Sequence, residues 1–190
     1  MGPPAFERKI LAPAEVARWS ARLPRPLVFT NGVFDILHRG HATYLARARA
    51  LGAGLLVALN GDASVRRLGK GPGRPVNTLE DRLALVAALE SVDAVTWFDE
   101  DTPAALIAAC RPEVLVKGGD WPVERIVGAP EVLARGGAVH SIPFEHQRST
   151  TALLERASRV ATRKTARRAS GSPSRARAVK SRARGKARSR

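Results

Sequence analysis

The chain has 190 residues, 44% of them hydrophobic, which is enough for one domain of ordinary size with a real core. Its formal net charge of +15 misleads as an average: residues 1–155 carry 18 Lys and Arg against 17 Asp and Glu, while residues 156–190 carry the other 14 cations and no acid. A single cysteine excludes an intramolecular disulfide and a cysteine-only metal site, and no apolar run approaches the ~20 residues that a membrane span needs.

A nearly neutral globule with a cationic tail is expected. The N-terminus lacks a basic start followed by an apolar stretch, so a cytoplasmic, soluble protein is expected too. Residues 1–12, with Gly2, Pro3 and Pro4, read as irregular. Pro13 suits a first helical position and predicts a short helix from Ala14 to Arg22, ended by Pro24. The apolar run at 26–30 predicts a buried strand, and residues 40–51, rich in helix formers and closed by Gly52, predict a helix. Leu55–Leu59 is a second strand. Residues 68–77 are too rich in glycine and proline for regular structure and predict a mobile loop.

Asn77 and Glu80 suggest an N-cap and capping box, and the helix behind them carries Leu79, Leu83, Val86 and Leu89 on one face. Ala94–Phe98 is a third strand. Thr102 is the expected cap of a helix that has Pro103 at its first position and runs to Cys110, a small core residue by expectation. Val114–Val116 is a fourth strand, a helix follows near 130–135, and Val139–Pro143 is a fifth strand. Ser149, Thr150 and Thr151 then resemble the N-cap of a last helix with Glu155 in its second turn.

Strands alternating with helices at this spacing predict a single α/β domain: a Rossmann-like, doubly wound, five-stranded parallel sheet. The expected organisation is an N-terminal extension over 1–23, the domain over 24–160, and a disordered Arg/Lys/Ala/Ser-rich tail over 161–190. In such sheets the loops at the strand C-termini gather over the switch point, which brings 30–41, 60–77, 117–121 and 144–151 around one crevice.

The stretch Thr30–His41 is the crossing from the first strand into a helix, where free backbone N–H groups and the helix dipole favour an anion. His38 and His41 are three residues apart, so both rings can face the same way, and Gly40 between them permits close approach to the backbone. Two imidazoles with free amides suit a triphosphate undergoing displacement; plain capping or solvent-facing histidines are the alternative. Lys70 and Arg74 either close over phosphates or form an exposed basic loop. Arg82 either reaches the phosphates or pairs at the surface with Asp81 or Asp101. Lys117, Gly118, Gly119 and Asp120 end a buried strand at the crevice, where the glycines allow backbone approach to a base or ribose. Ser149, Thr150 and Thr151 offer a second anion site or ordinary capping. Asp35 holds sugar hydroxyls or orients a histidine, and the sequence leaves both open.

The run Gly32-Val33-Phe34-Asp35-Ile36-Leu37-His38-Arg39-Gly40-His41 resembles the signature of the HxGH nucleotidyltransferases, in the branch that includes cytidylyltransferases. More closely, Asn60–Ser64, Arg74–Asn77, Glu80–Arg82, Phe98–Pro103, Leu115–Asp120 and Ser149–Thr151 are similar to the adenylyltransferase domain of the bifunctional heptose kinase/adenylyltransferases. The resemblance covers about residues 24–158 and includes no sugar-kinase half. It implies transfer of AMP from ATP to a heptose 1-phosphate, with magnesium carried by the triphosphate and a separate kinase supplying the sugar phosphate. It implies His38 and His41 on the α/β phosphates, with Lys70 and Arg74 as further catalytic cations. Thr30, Asn31, the backbone of Gly32, Val33 and Phe34, Gly40, Lys117, Gly118, Asp120 and Ser149–Thr151 would bind the nucleotide. Asp35, Asn60 and Arg82 are assigned to the acceptor.

The nearest alternative is a CTP-dependent cytidylyltransferase acting on glycerol 3-phosphate or a related phosphoalcohol. An alternative of another class is an inactive nucleic-acid-associated protein. The tail supports polyanion contact through counterion release, or is an inert extension. No protein metal site is expected, because no carboxylate cluster offers a cage and His140 and His146 lie apart from the histidine pair. The sequence leaves homo-oligomer formation open.

Overall fold

A computed structural model describes residues 2–69, 71, 73–143 and 145, together with 153, 154, 156 and 159. Lys70, Ser149, Thr150, Thr151 and the tail over 161–190 lie outside the described residues.

Five strands form one parallel sheet: β1 (Leu27–Gly32), β2 (Gly54–Asn60), β3 (Ala94–Phe98), β4 (Val114–Gly118) and β5 (Ala138–Ile142). Their order is β3-β2-β1-β4-β5, so the winding reverses between β1 and β4. Among the described residues, the helices that connect and flank the strands are α1 (Val16–Ser20), α2 (Arg39–Arg49), α3 (Asp62–Arg67), α4 (Leu79–Ala87), α5 (Ala104–Cys110) and α6 (Ala129–Ala134).

Alternation along the strands builds two apolar layers. Leu27, Phe29, Leu56 and Ala58 pack on one face with Val16, Ile107, Cys110 and Val132, from α1, α5 and α6. Val28, Leu55, Val57 and Leu59 pack on the other with Leu45, Ala48, Leu83 and Val86, from α2 and α4. The sheet is thus buried on both faces, which is why its strands read as continuous apolar runs. Cys110 is a core residue, and burial pushes its thiol pKa up.

Several local details differ from expectation. Residues 1–12 are more ordered than their glycine and prolines suggest: Ala5–Lys9 form a 3-10 turn, Ile10 bridges to Val95, and Leu11 enters the core. The free edge of β3 is thereby partly covered, as an unpaired edge requires. The short helix α3 has no counterpart in the sequence-based expectation. The cap of α4 is Thr78, which accepts from the Asp81 N–H at 3.3 Å, and not Asn77. Asn77 is committed elsewhere, donating through its side chain to Asp35 O at 2.6 Å. Thr102 does not cap α5; the N-cap is Pro103, without a side-chain bond, and the helix begins at Ala104.

Two carboxylates pin the starts of the strands opposite the crevice. Asp93 accepts from the Leu55 N–H at 2.7 Å and from Arg49 Nε at 2.8 Å. Glu113 accepts from the Leu27 N–H at 2.7 Å and pairs with Arg25. Burial pushes the Glu113 pKa up, but the Leu27 amide and Arg25 outweigh it and hold it below the usual carboxylate range. A depressed folded pKa contributes stability above the unfolded value of about 4.3, and that contribution is lost as pH falls through the folded value. With both side chains partly exposed, Glu113→Gln should cost about 0.5–1 kcal/mol at pH 7. In urea unfolding series the gap from wild type should close below about pH 4; a gap independent of pH would refute the charge explanation.

Candidate active site

The C-terminal ends of β1 and β4 meet at the switch point. Their register sets Thr30 beside Val116, and one residue further Lys117 Nζ donates to Asn31 Oδ1 at 3.2 Å. A cavity of about 630 Å³ opens there, walled by Asn31–Asp35 and His41 on one side and by Lys117, Gly118 and Gly119 on another. That is where ligands sit in open α/β sheets. The volume falls in the range of small-ligand sites.

His38 is the N-cap residue of α2, with extended backbone (φ −145°) and no capping bond from its side chain. Its carbonyl accepts the first helical bond, from the His41 N–H at 2.9 Å. Capping therefore does not account for the ring. The His38 and His41 rings stack, with centroids 3.9 Å apart and 14° between planes, and Phe34 braces His41 at 5.3 Å. Their side chains are half-buried. Gly40, buried between them, lies in the first turn of α2 and not in the cavity wall.

Tyr44, which lines the cavity, and the buried Thr30 share a hydrogen bond of 2.5 Å between hydroxyls, and Tyr44 Oη lies 3.5 Å from Val116 O. Burial raises the Tyr44 pKa well above its ordinary value, with the Thr30 bond offsetting only part, so the hydroxyl stays neutral. Thr30 is fully buried and outside the wall; its side chain ties α2 to β1 and does not face a ligand.

Asp35 departs from both roles expected of it. Its carboxylate accepts from Arg74 Nε at 2.6 Å, the Val76 N–H at 2.8 Å and the Asn77 N–H at 3.0 Å, while its carbonyl accepts from Asn77 Nδ2. With its side chain wholly buried, it anchors the end of the Gly/Pro loop to the turn after β1. Arg74, mostly buried against it, still lines the cavity. Arg82 likewise leaves the expected site. It is 0% exposed, outside the cavity wall, and paired with Asp62 at 2.6 Å and not with Asp81 or Asp101.

Asn60, at the end of β2, lines the cavity as expected, whereas Asp120 is exposed outside it. The wall also includes Trp121, from the 117–121 segment expected at the crevice, and Tyr44, Asp101, Thr102, Pro103 and Arg125, which the sequence does not place there. Tyr44 had a signal: it lies one helical turn beyond His41. Thr102 looks like a helix cap in the sequence, and Arg125 lies beyond the strand-end segment without any periodicity to mark it. Among the described residues, no three His, Cys, Asp or Glu side chains come together as a metal site. No helix among them is long and apolar enough to cross a membrane.

A Rossmann-like sheet with stacked histidines, turn amides and a lysine at its switch point defines a nucleotide-handling α/β protein. The chain belongs to the cytidylyltransferase-like family, whose model matches residues 29–163. It is 60% identical over 151 residues to the D-beta-D-heptose 1-phosphate adenylyltransferase of Bordetella bronchiseptica, covering 78% of this chain and 93% of that protein. It is 54% identical over 131 residues to the bifunctional protein HldE of a Marinomonas species, covering 69% of this chain but 27% of that protein. Among solved structures, the lipopolysaccharide core biosynthesis protein of Thermoplasma volcanium matches with a TM-score of 0.52 at 28% identity, over 64% of this chain and 98% of that one.

Proposed function

We propose that the chain transfers AMP from ATP to D-glycero-D-manno-heptose 1-phosphate, giving ADP-heptose and pyrophosphate. The observation that carries this reading is His41 in the cavity wall, stacked on His38, which itself lies outside the wall, in a chain 60% identical to a heptose 1-phosphate adenylyltransferase. A sugar-phosphate oxygen attacks the α-phosphorus in line, the new P–O bond forms, and the α–β bridging bond breaks with its electron pair leaving on pyrophosphate. No protein nucleophile is required; positioning and charge stabilisation carry the rate.

In this reading His38 and His41 donate to the α and β phosphate oxygens, with His41 nearest the transferring phosphorus. The Gly32–Phe34 amides cradle the triphosphate, joined by Lys117 and Arg74 and, from outside the described residues, by Lys70 and Ser149–Thr151. Gly118 and Gly119 let a base or ribose approach the β4 backbone. Asn60 remains on the acceptor side. Magnesium would arrive bound to the triphosphate, whose oxygens suit it better than the imidazoles and amides of the wall, and would neutralise phosphate charge.

A separate kinase supplies the heptose 1-phosphate, in the cytoplasm where ATP is made. The cationic tail adds sequence-independent polyanion contact; loss of duplex DNA binding on shortening the chain to residue 160 would support that, and unchanged binding would sink it. The central experiment is pyrophosphate release with ATP, CTP and GTP across candidate phosphates. Turnover should be highest with ATP and heptose 1-phosphate, and a preference for CTP with glycerol 3-phosphate would overturn the assignment.

A further inference from the structure

Arg82 is a fully buried cation with no part in the phosphate chemistry above. One Nη donates to Val33 O at 2.7 Å and to Asn60 O at 2.8 Å, Nε donates to Asn77 O at 3.2 Å, and the other Nη donates to Asp62 at 2.6 Å. Burying a guanidinium is strongly unfavourable unless its N–H groups are satisfied and its charge is paired. Here three acceptors are backbone carbonyls, located in the phosphate turn, at the end of β2 and just before α4.

A peptide unit is planar and trans, so its C=O and N–H point in opposite directions. A donor that holds the Val33 carbonyl on the buried side therefore turns the N–H of the same peptide, that of Phe34, the other way. Val33 and Phe34 both line the cavity. Phe34 sits at φ 48°, a left-handed conformation uncommon outside glycine, which the surroundings must over-determine. The next residue, Asp35, is held from the loop side by Arg74, Val76 and Asn77, and Arg82 holds the preceding carbonyl from the core.

We propose that Arg82 is a positioning residue: by holding the Val33 carbonyl it aims the Phe34 N–H into the cavity as a donor to phosphate. This rests on the phosphate-binding reading of the cavity, but not on which nucleotide or sugar is used. A lysine preserves the charge but not the planar fork that spans separate carbonyls at once.

The test uses the full chain with Arg82→Lys, working well below its unfolding midpoint and with magnesium and inorganic tripolyphosphate as the anion probe. Tripolyphosphate affinity should fall about tenfold and kcat by at least as much, while KM for the sugar phosphate stays within about twofold. A merely structural role would lower the unfolding midpoint without that split. A second variant replaces Phe34 by its α-hydroxy acid, exchanging the N–H for an ester oxygen and leaving Arg82 in place. It should show the same losses, and combining it with Arg82→Lys should add little, because both remove one donor.

Wild-type affinity and kcat in folded Arg82→Lys, or in the ester variant, would overturn the proposal, as would a wild type that does not bind tripolyphosphate. Should the lysine protein not fold, the ester variant decides alone. Failure of the heptose reading would look different: no pyrophosphate from ATP and heptose 1-phosphate, with tripolyphosphate binding still separating wild type from both variants.

Discussion

His41→Ala should lower kcat for pyrophosphate release by about two to three orders of magnitude, the effect of removing one preorganised donor from a developing phosphate charge. His38→Ala should fall in the same range, because its ring stacks on that of His41 at 3.9 Å and holds it in place. Neither ring belongs to the two apolar cores, and the first turn of α2 is closed by the His38 carbonyl, not by its side chain. Both variants should therefore keep the fold, with unfolding free energies within about 1 kcal/mol of wild type. The double variant should lose little more than the worse single one, since residues that act as a unit are not additive. Near-normal turnover in either purified variant would sink the assignment.

Asp35→Ala should be the most destabilising substitution at the site. It removes the acceptor of three donors at once and leaves Arg74 with a side chain only 10% exposed and without its carboxylate. Breaking a buried pair from one side costs about 3–5 kcal/mol. Asp35→Asn keeps the shape and one oxygen but turns an amide N–H toward a donor, so its cost should lie between. Activity should fall in both, because Arg74 and the end of the Gly/Pro loop lose their attachment to the turn after β1. Denaturant unfolding alongside pyrophosphate release checks this; a loss below about 1 kcal/mol in Asp35→Ala would show that the loop is held by something else.

Those two sites differ in how far local sequence exposes them. The histidine pair is separated by three residues on one helix, so their common face follows from helical geometry alone. Asp35 lies in the same motif, yet its partners Arg74, Val76 and Asn77 are about forty positions away, on a loop that no periodicity describes. That one contact also moved the α4 cap: Asn77, spent on Asp35, left Thr78 to satisfy the helix N-terminus. Arg82 shows the same limit. An arginine three residues into a capped helix, beside Asp81, looks like a surface cation; only the convergence of β1, β2 and the loop around it makes it a core residue.

By itself the sequence determined the strands and most helices, the parallel α/β class and the strand-to-helix crossing at residues 30–41, because these follow from apolar runs, helical spacing and short-range caps. The resemblance of its motifs pointed to the nucleotidyltransferases. Only the tertiary structure decided the switch point between β1 and β4, the packing of the N-terminal segment against β3, and the buried anchoring of Asp35 and Arg82. It also brought Tyr44, Thr102 and Arg125 to the cavity wall. The physical reason is common to all of these: a polar side chain's role is set by the acceptors and donors that folding brings within about 3 Å of it, and those lie far away along the chain.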